Sequence, residues 1–105
     1  MDDAVLFIEE LDEKAREKVL YNIRKSQYVL DPELFKKLND EIWEFRTLFK
    51  KTSYRVFAFW DKADQANTLV IATHGIVKKT NKTPKQALEK AQQLRTEYFS
   101  NQEDT

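Results

Sequence analysis

The sequence predicts an α+β domain, with helices at the N-terminus, an antiparallel meander of three strands in the middle and a closing helix. Three observations predict it. Apolar residues step by three and four in the first quarter of the chain and again in the last, which is the helical period. Between them lie runs that alternate or stay apolar, rich in aromatic and β-branched side chains, the signature of strands. Polar clusters of a few residues separate those runs, too short for crossovers and sufficient for hairpins.

Residues 3–27 read as helix, because Val5, Ile8, Leu11, Ala15, Val19 and Ile23 form one apolar stripe. Asp12 can cap a second helical segment after Leu11, with Ala15 at the third helical position, so the full capping box is missing. Asp31-Pro32 reads as the start of a short helix over PELFKKL, with Asp as N-cap and Pro in the first turn. Asn39-Asp40 is a turn.

The period then changes. In IWEFRTLF, residues 42–49, Trp43, Phe45, Thr47 and Phe49 share one face and Ile42, Glu44, Arg46 and Leu48 the other. Residues 50–53 are a turn. YRVFAFWD, residues 54–61, is a second strand, apolar on both faces apart from Arg55. After a polar turn over 62–67, TLVIATHGIV at 68–77 is apolar on both faces, which predicts a central strand. Strict alternation would put Val70, Ala72, His74, Ile76 and Lys78 on one face. Thr83 as N-cap, Pro84 in the first turn and Gln86 at the third position open the last helix as a capping box. Ala87, Leu88, Ala91, Leu94 and Tyr98 make its buried stripe.

The composition narrows the function. At 105 residues the chain is one domain, with no linker or repeat. The absence of cysteine excludes disulfides and thiolate metal sites. A single histidine and no acidic cluster leave no expectation of a metal or cofactor. No apolar run approaches the ~18 residues of a membrane span, and MDDAVLFIEELDEK lacks the basic start of a signal peptide. The expectation is a cytoplasmic protein without a membrane partner. A net charge of zero hides an asymmetry: residues 1–40 carry seven Lys/Arg against ten Asp/Glu, residues 46–95 eleven against three. A half that basic suits a polyanion; it also suits a plain solvated surface.

The only histidine and the only glycine are neighbours, in THGIVKKTNKTPKQ at 73–86. If Arg46 and Arg55 face the same way as His74 and Lys78, with Lys79 and Lys82 nearby, the sheet carries an anion site. Arginine supplies a bidentate fork for phosphate and lysine a mobile point charge. Gly75 permits close approach of a backbone or ligand, or marks a bulge. The plainer alternatives are a packed histidine, a solvated lysine turn, and an Arg46 that pairs with Glu41 or Glu44.

LDEKAREKVLYNI at 11–23, IWEFR at 42–46, YRVFAFWD at 54–61 and above all HGIVKKTNKTPKQALEKA at 74–91 resemble the RelE/HigB-type toxins of bacterial toxin–antitoxin systems, in their phage-related HigB-like branch. The resemblance covers roughly residues 3–99. It implies a small curved antiparallel sheet of three to four strands with helices on one side, in a single domain spanning the chain. It also implies a ribosome-dependent mRNA endonuclease that cleaves by 2′-OH attack without metal.

The catalytic positions implied are Arg46, Arg55, His74, Lys78 and Lys79, with Lys50, Lys51, Lys82 and Lys85 as RNA contacts. The implied partners are mRNA on the ribosome and a cognate antitoxin of helix-turn-helix type, which Phe7 and Leu20 could contact. Tyr98 falls where some relatives carry a functional aromatic, but its helical spacing suits the core. Relatives begin with a strand that is not evident before DAVLFIEEL, and its loss could leave a sheet edge open. The alternatives are a non-catalytic basic module that binds RNA or protein, and a decayed, inactive toxin.

Overall fold

The computed structural model describes residues 1–62, 69–78 and 83–103, with the backbone alone at 102 and 103. Helix α1 spans Asp2–Glu10 and α2 spans Glu13–Lys25; then come β1 (Phe35–Lys37), β2 (Trp43–Phe49), β3 (Thr52–Asp61), β4 (Leu69–Lys78) and α3 (Lys85–Glu103). The four strands form one antiparallel sheet in the order β1-β2-β3-β4. An α+β architecture with an antiparallel meander is what the sequence predicts.

The break between the first two helices follows from Asp12. Its side chain accepts from the Ala15 N–H at 3.0 Å, so α2 starts afresh after Leu11. Ala4, Ala15, Val19 and Asn22 face inward, and Asn22 donates to the Thr47 hydroxyl at 3.2 Å.

The short helix expected after Asp31-Pro32 does not form. The Asp31 side chain does accept from the Glu33 N–H at 2.9 Å, but the chain makes one turn and enters β1. Packing outweighs the capping signal here. Phe35 stacks on Trp43 at 4.8 Å and on Phe45 at 4.4 Å between ring centroids, contacts that need Phe35 beside β2. Asn39 closes the hairpin, accepting from the N–H groups of Glu41 and Ile42.

Strand β4 is an edge strand, not a central one, and β3 takes the centre. Both faces of β4 are nevertheless apolar, because helices lie on both. Cross-strand pairing sorts the residues. One face carries Ile42, Glu44, Arg46, Ser53, Arg55, Phe57, Phe59 and Asp61, and α3 packs on it through Ala87, Ala91, Tyr98 and Phe99. The other carries Phe45, Thr47, Val56 and Gly75, and meets α1 and α2. The helices thus divide between two sides instead of sharing one. The outer edge of β4 is not left open along its length: the Met1 ammonium donates to the Ala72 carbonyl at 3.1 Å, and Lys90 of α3 pairs with Asp3 of α1 at 3.1 Å.

A bulge between Phe57 and Ala58 of β3 leaves Thr73 as the extra residue of β4, since Phe57 pairs with His74 but Ala58 with Ala72. It breaks the alternation expected for β4. Val70 and Ala72 go to the α1–α2 side, and His74, Ile76 and Lys78 go to the α3 side with Arg55. The bulge is at Thr73 and not at Gly75.

Gly75 is needed for space. Its φ is not positive, but a β-carbon there would clash with the Phe7 ring of α1. Gly75→Ala is expected to cost about 1–3 kcal/mol by overpacking. In a Phe7→Ala background the same change should cost much less, a coupling that a double-mutant cycle on urea unfolding reads directly.

Candidate functional site

The α3-side face ends in a concentration of positive charge. Arg46 and Arg55 are directly opposite each other on β2 and β3, and Lys78 pairs with Ser53 one step further along. Like charges placed opposite in a sheet repel, so the arrangement calls for a compensating anion. Glu44 supplies one. Its carboxylate lies 3.2 Å from Arg55 Nη1, and both side chains are only 2% exposed. Arg55 Nε donates to the Ser53 hydroxyl at 2.9 Å, and the Thr83 hydroxyl donates to Glu44 at 3.2 and 3.3 Å. Thr83 therefore ties the start of α3 to the sheet; its hydroxyl is engaged with Glu44 instead of capping the helix.

Three cations thus face one buried carboxylate. Arg55 Nη1 is close to Glu44 without being aligned for a hydrogen bond, and Lys78 Nζ is buried with no hydrogen-bond partner among the described residues. Burial lowers the Lys78 pKa below the usual lysine value, and the charges of Arg55 and Arg46 lower it further against the pull of Glu44. Burial also lowers that of Arg55, opposed by Glu44; a guanidinium stays charged regardless. Arg46 makes no ion pair among the described residues; its guanidinium has only a 3.5 Å contact to the Pro32 carbonyl. With Arg55, Ser53, Leu48, Thr47 and Glu33 it lines a cleft of about 290 Å³.

Beside the cleft, the β2–β3 hairpin turns on Lys50 and Lys51 alone. Both have left-handed backbones, with φ of 50° and 64°. A two-residue turn of this kind favours Asn-Gly, so two lysines there are strained. Their ammonium groups are held out at the same end of the sheet as Lys78. Lys85 is exposed in the first turn of α3 and lies 3.9 Å from Glu89. Lys79 and Lys82 lie outside the described residues.

His74 sits differently. It is 5% exposed and stacked on Phe57 at 4.9 Å. Its Nδ1 is 3.0 Å from the Thr73 hydroxyl, whose own proton goes to the Phe57 carbonyl. His74 Nε2 is buried and without a partner among the described residues. Burial pushes its pKa down to about 4, with Lys90 adding to the effect and Asp3 opposing it. Ile76 separates it from Lys78 on the same face.

The linkage gives a prediction. Between pH 6.5 and about 4 the unfolded chain binds a proton at His74 that the folded chain does not. Stability therefore falls as pH falls through that window, by on the order of 3 kcal/mol in all at 1.36 kcal/mol per unit. His74→Gln should remove this component of the acid lability in thermal melts across that range.

Tyr98 is at the far end of the sheet. Its hydroxyl donates to Asp61 at 2.7 Å and its ring packs edge-on to Phe59. Six residues of strand, roughly 20 Å, separate Asp61 from Arg55. Among the described residues no group of His, Asp and Glu is placed to hold a metal ion, and no helix is long and apolar enough to cross a membrane.

The chain is thus a small antiparallel α+β domain carrying a cationic cluster at one sheet end. Residues 6–96 match the family model described as phage derived protein Gp49-like (DUF891), and the chain belongs to that family, within the RelE/HigB-like toxin superfamily. Comparison with curated proteins and with solved structures finds no match.

Proposed function

We propose that this chain is the HigB-type toxin of a toxin–antitoxin pair and cuts mRNA on the ribosome. The observation that supports it is the under-neutralised cluster: half-buried Arg46 opposite buried Arg55, buried Lys78 without a hydrogen-bond partner among the described residues, and Glu44 as the one buried carboxylate beside them. A buried charge lacking its counterion is costly, and the anion that would relieve this cluster is a phosphate.

In this reading Arg55 and Arg46 hold the non-bridging oxygens of the scissile phosphate. Charge stabilisation of this kind is commonly the largest catalytic contribution. Lys78, with its lowered pKa, takes the 2′-OH proton. The 2′-oxygen attacks phosphorus, the P–O5′ bond breaks and the 5′-oxygen takes a proton from water, leaving a 2′,3′-cyclic phosphate and a 5′-hydroxyl, while the Lys78 ammonium returns its proton to solvent. No metal is required by this route. Glu44 orients the Arg55 guanidinium. His74 acts by packing in this scheme, since its ring is neutral at pH 7 and sealed between Phe57 and the helices. Lys50, Lys51, Lys82 and Lys85 hold the flanking backbone, and Lys79 adds to the phosphate site. A cognate antitoxin, of helix-turn-helix type in this reading, holds the toxin inactive in the cytoplasm.

The test is induced expression in bacteria of the wild type and of an Arg46→Ala/Lys78→Met variant, with primer extension on a reporter mRNA. Growth arrest with new 5′ ends from the wild type alone is expected. A folded wild type that binds RNA in a salt-dependent way without cutting it would instead establish a binding module, and one that does neither a decayed toxin.

A further inference from the structure

The cleft between Arg46 and Arg55 has a lip that the cleavage scheme leaves unused. Glu33 stands there, in the segment between α2 and β1, and lines the cleft together with Arg46, Leu48, Ser53 and Arg55. Its side chain is exposed and makes no hydrogen bond or ion pair among the described residues. The backbone that carries it is fixed on both sides. The Asp31 carboxylate accepts from the Glu33 N–H at 2.9 Å, and the Asp31 carbonyl accepts from the N–H groups of Leu34 and Phe35. The Leu34 carbonyl in turn accepts from the Arg46 N–H at 2.8 Å. Glu33 is thereby held against β2, on the side of the arginines away from β4 and Lys78.

We infer that Glu33 is a specificity-determining residue, whose carboxylate reads a guanine in the nucleotide next to the phosphate held by Arg46 and Arg55. The inference rests on the proposed RNA phosphate site in that cleft. A free carboxylate beside a phosphate site repels the ligand's own charge. It therefore weakens binding of every RNA unless it meets a donor. An ionised carboxylate offers acceptors only. Guanine alone among the four bases puts two donors side by side, N1–H and the 2-amino group, which match the two carboxylate oxygens. Adenine and cytosine set a ring-nitrogen acceptor next to their amino group, and uracil flanks its N3–H with two carbonyls. Each of those three turns a lone pair against the carboxylate. Leu48 is 70% exposed on the same face of β2 as Arg46 and gives the base an apolar surface to lie on.

The order of strands divides the nucleotide among these groups. Lys78 on β4 serves the sugar 2′-OH, Arg46 and Arg55 in the middle hold the phosphate, and Glu33 beyond β2 is left to the base. Single-stranded RNA is read on Watson–Crick edges of this kind once its bases are unstacked. Glu33→Gln exchanges one acceptor for a donor. The amide then matches the adjacent donor and acceptor of adenine, so the substitution switches the preferred base instead of only weakening binding.

The experiment measures binding of the full chain to labelled trinucleotides by fluorescence anisotropy: UGU, UAU, and UGU with inosine in place of guanosine. Riboses carrying 2′-fluorine keep all of them uncleaved. The wild type should prefer guanine over adenine by at least about fivefold, the lower end for a bidentate base contact. Inosine keeps the N1–H and lacks the 2-amino group, so it should bind less tightly than guanine. Glu33→Gln, a change at an exposed position that does not threaten the fold, should reverse the order of guanine and adenine. In cells, primer extension should place wild-type cuts beside guanine and those of Glu33→Gln beside adenine. Equal affinity for guanine and adenine, a preference that survives Glu33→Gln, or no binding of any trinucleotide overturns the inference. A Glu33-dependent guanine preference in a chain that cuts no mRNA would uphold it and sink the nuclease reading. Cleavage that Arg46→Ala/Lys78→Met abolishes, and that Glu33→Gln leaves at the same sites, would do the reverse.

Discussion

Arg55→Ala is expected to abolish mRNA cleavage and, separately, to destabilise the fold by on the order of 3 kcal/mol, because it leaves the Glu44 carboxylate buried with no cation paired to it. For a domain of this size that lowers the melting temperature by roughly 12–24 °C. The sequence shows Arg55 as the polar exception in an apolar strand without showing its partner; its burial against Glu44 makes the single variant ambiguous. The resolving variant is Arg55→Met with Glu44→Gln, which removes both charges and keeps their volume. It should recover most of the stability in urea titrations, since an apolar replacement for a buried pair is often neutral or better. It should not recover growth arrest. A stable, fully toxic double variant would remove Arg55 from the mechanism.

Lys78→Met is expected to push stability and activity in opposite directions. The wild type buries an ammonium with no partner among the described residues. Methionine fills similar space without that penalty, so the variant should be more stable by roughly 1–2 kcal/mol. Cleavage should fall by roughly 10²–10⁴-fold, the usual contribution of a positioned base.

The pH dependence follows from the lowered pKa. Below the folded-state value, Lys78 is charged in both states and the penalty is present in full. As pH rises from there towards the ordinary 10.5, the unfolded chain keeps a proton that the folded chain has lost, and the wild type gains stability. Chemical denaturation of both proteins from pH 7 to 10 should therefore narrow the gap between them. The cleavage rate of the wild type should rise with pH over the same window. A variant that is less stable and still active would contradict both parts.

Most of the fold is legible in the sequence because local and tertiary preferences agree. Asp12 breaks the first helical stretch where its side chain says it should, and Asn39 turns the chain into β2. The failures occur where a long-range contact outweighs a local one. Asp31-Pro32 carries a sound helix-start signal, yet stacking of Phe35 on Trp43 and Phe45 draws the next residues into a strand. Thr83-Pro84 reads as a cap, yet the hydroxyl goes to a carboxylate 39 residues away. Two apolar faces read as a central strand, yet an edge strand between α1 and α3 has the same pattern.

The candidate site was legible in its cations and not in its anion. Arg46, Arg55 and Lys78 do converge on one face. Glu44 was visible as a residue alternating with Arg46 and as a candidate partner for it, and nothing local says that it pairs with Arg55 instead. The signal that could have found it is the shared face itself. Once Arg55 is assigned to that face of an otherwise apolar strand, a buried guanidinium needs a carboxylate, and Glu44 is the carboxylate on the same face of the neighbouring strand.

Thr73 makes membership of the site depend on a count. Because it is supernumerary, every residue beyond it in β4 is turned over relative to those before it. Were Thr73 drawn into the ladder opposite Phe57, the far half of the strand would turn inside out: Lys78 would go to the side of α1 and α2, and Val77 would take its place beside Ser53. Deleting Thr73 has no such effect, because Ala72 stays opposite Ala58 and His74 opposite Phe57, and Lys78 keeps its place. Composition, hydropathy and net charge hardly register either change. In alignments within this family, a one-residue gap at Thr73 therefore keeps the lysine in the site's column, whereas an ungapped match to a regular strand sets it against a residue of the opposite face.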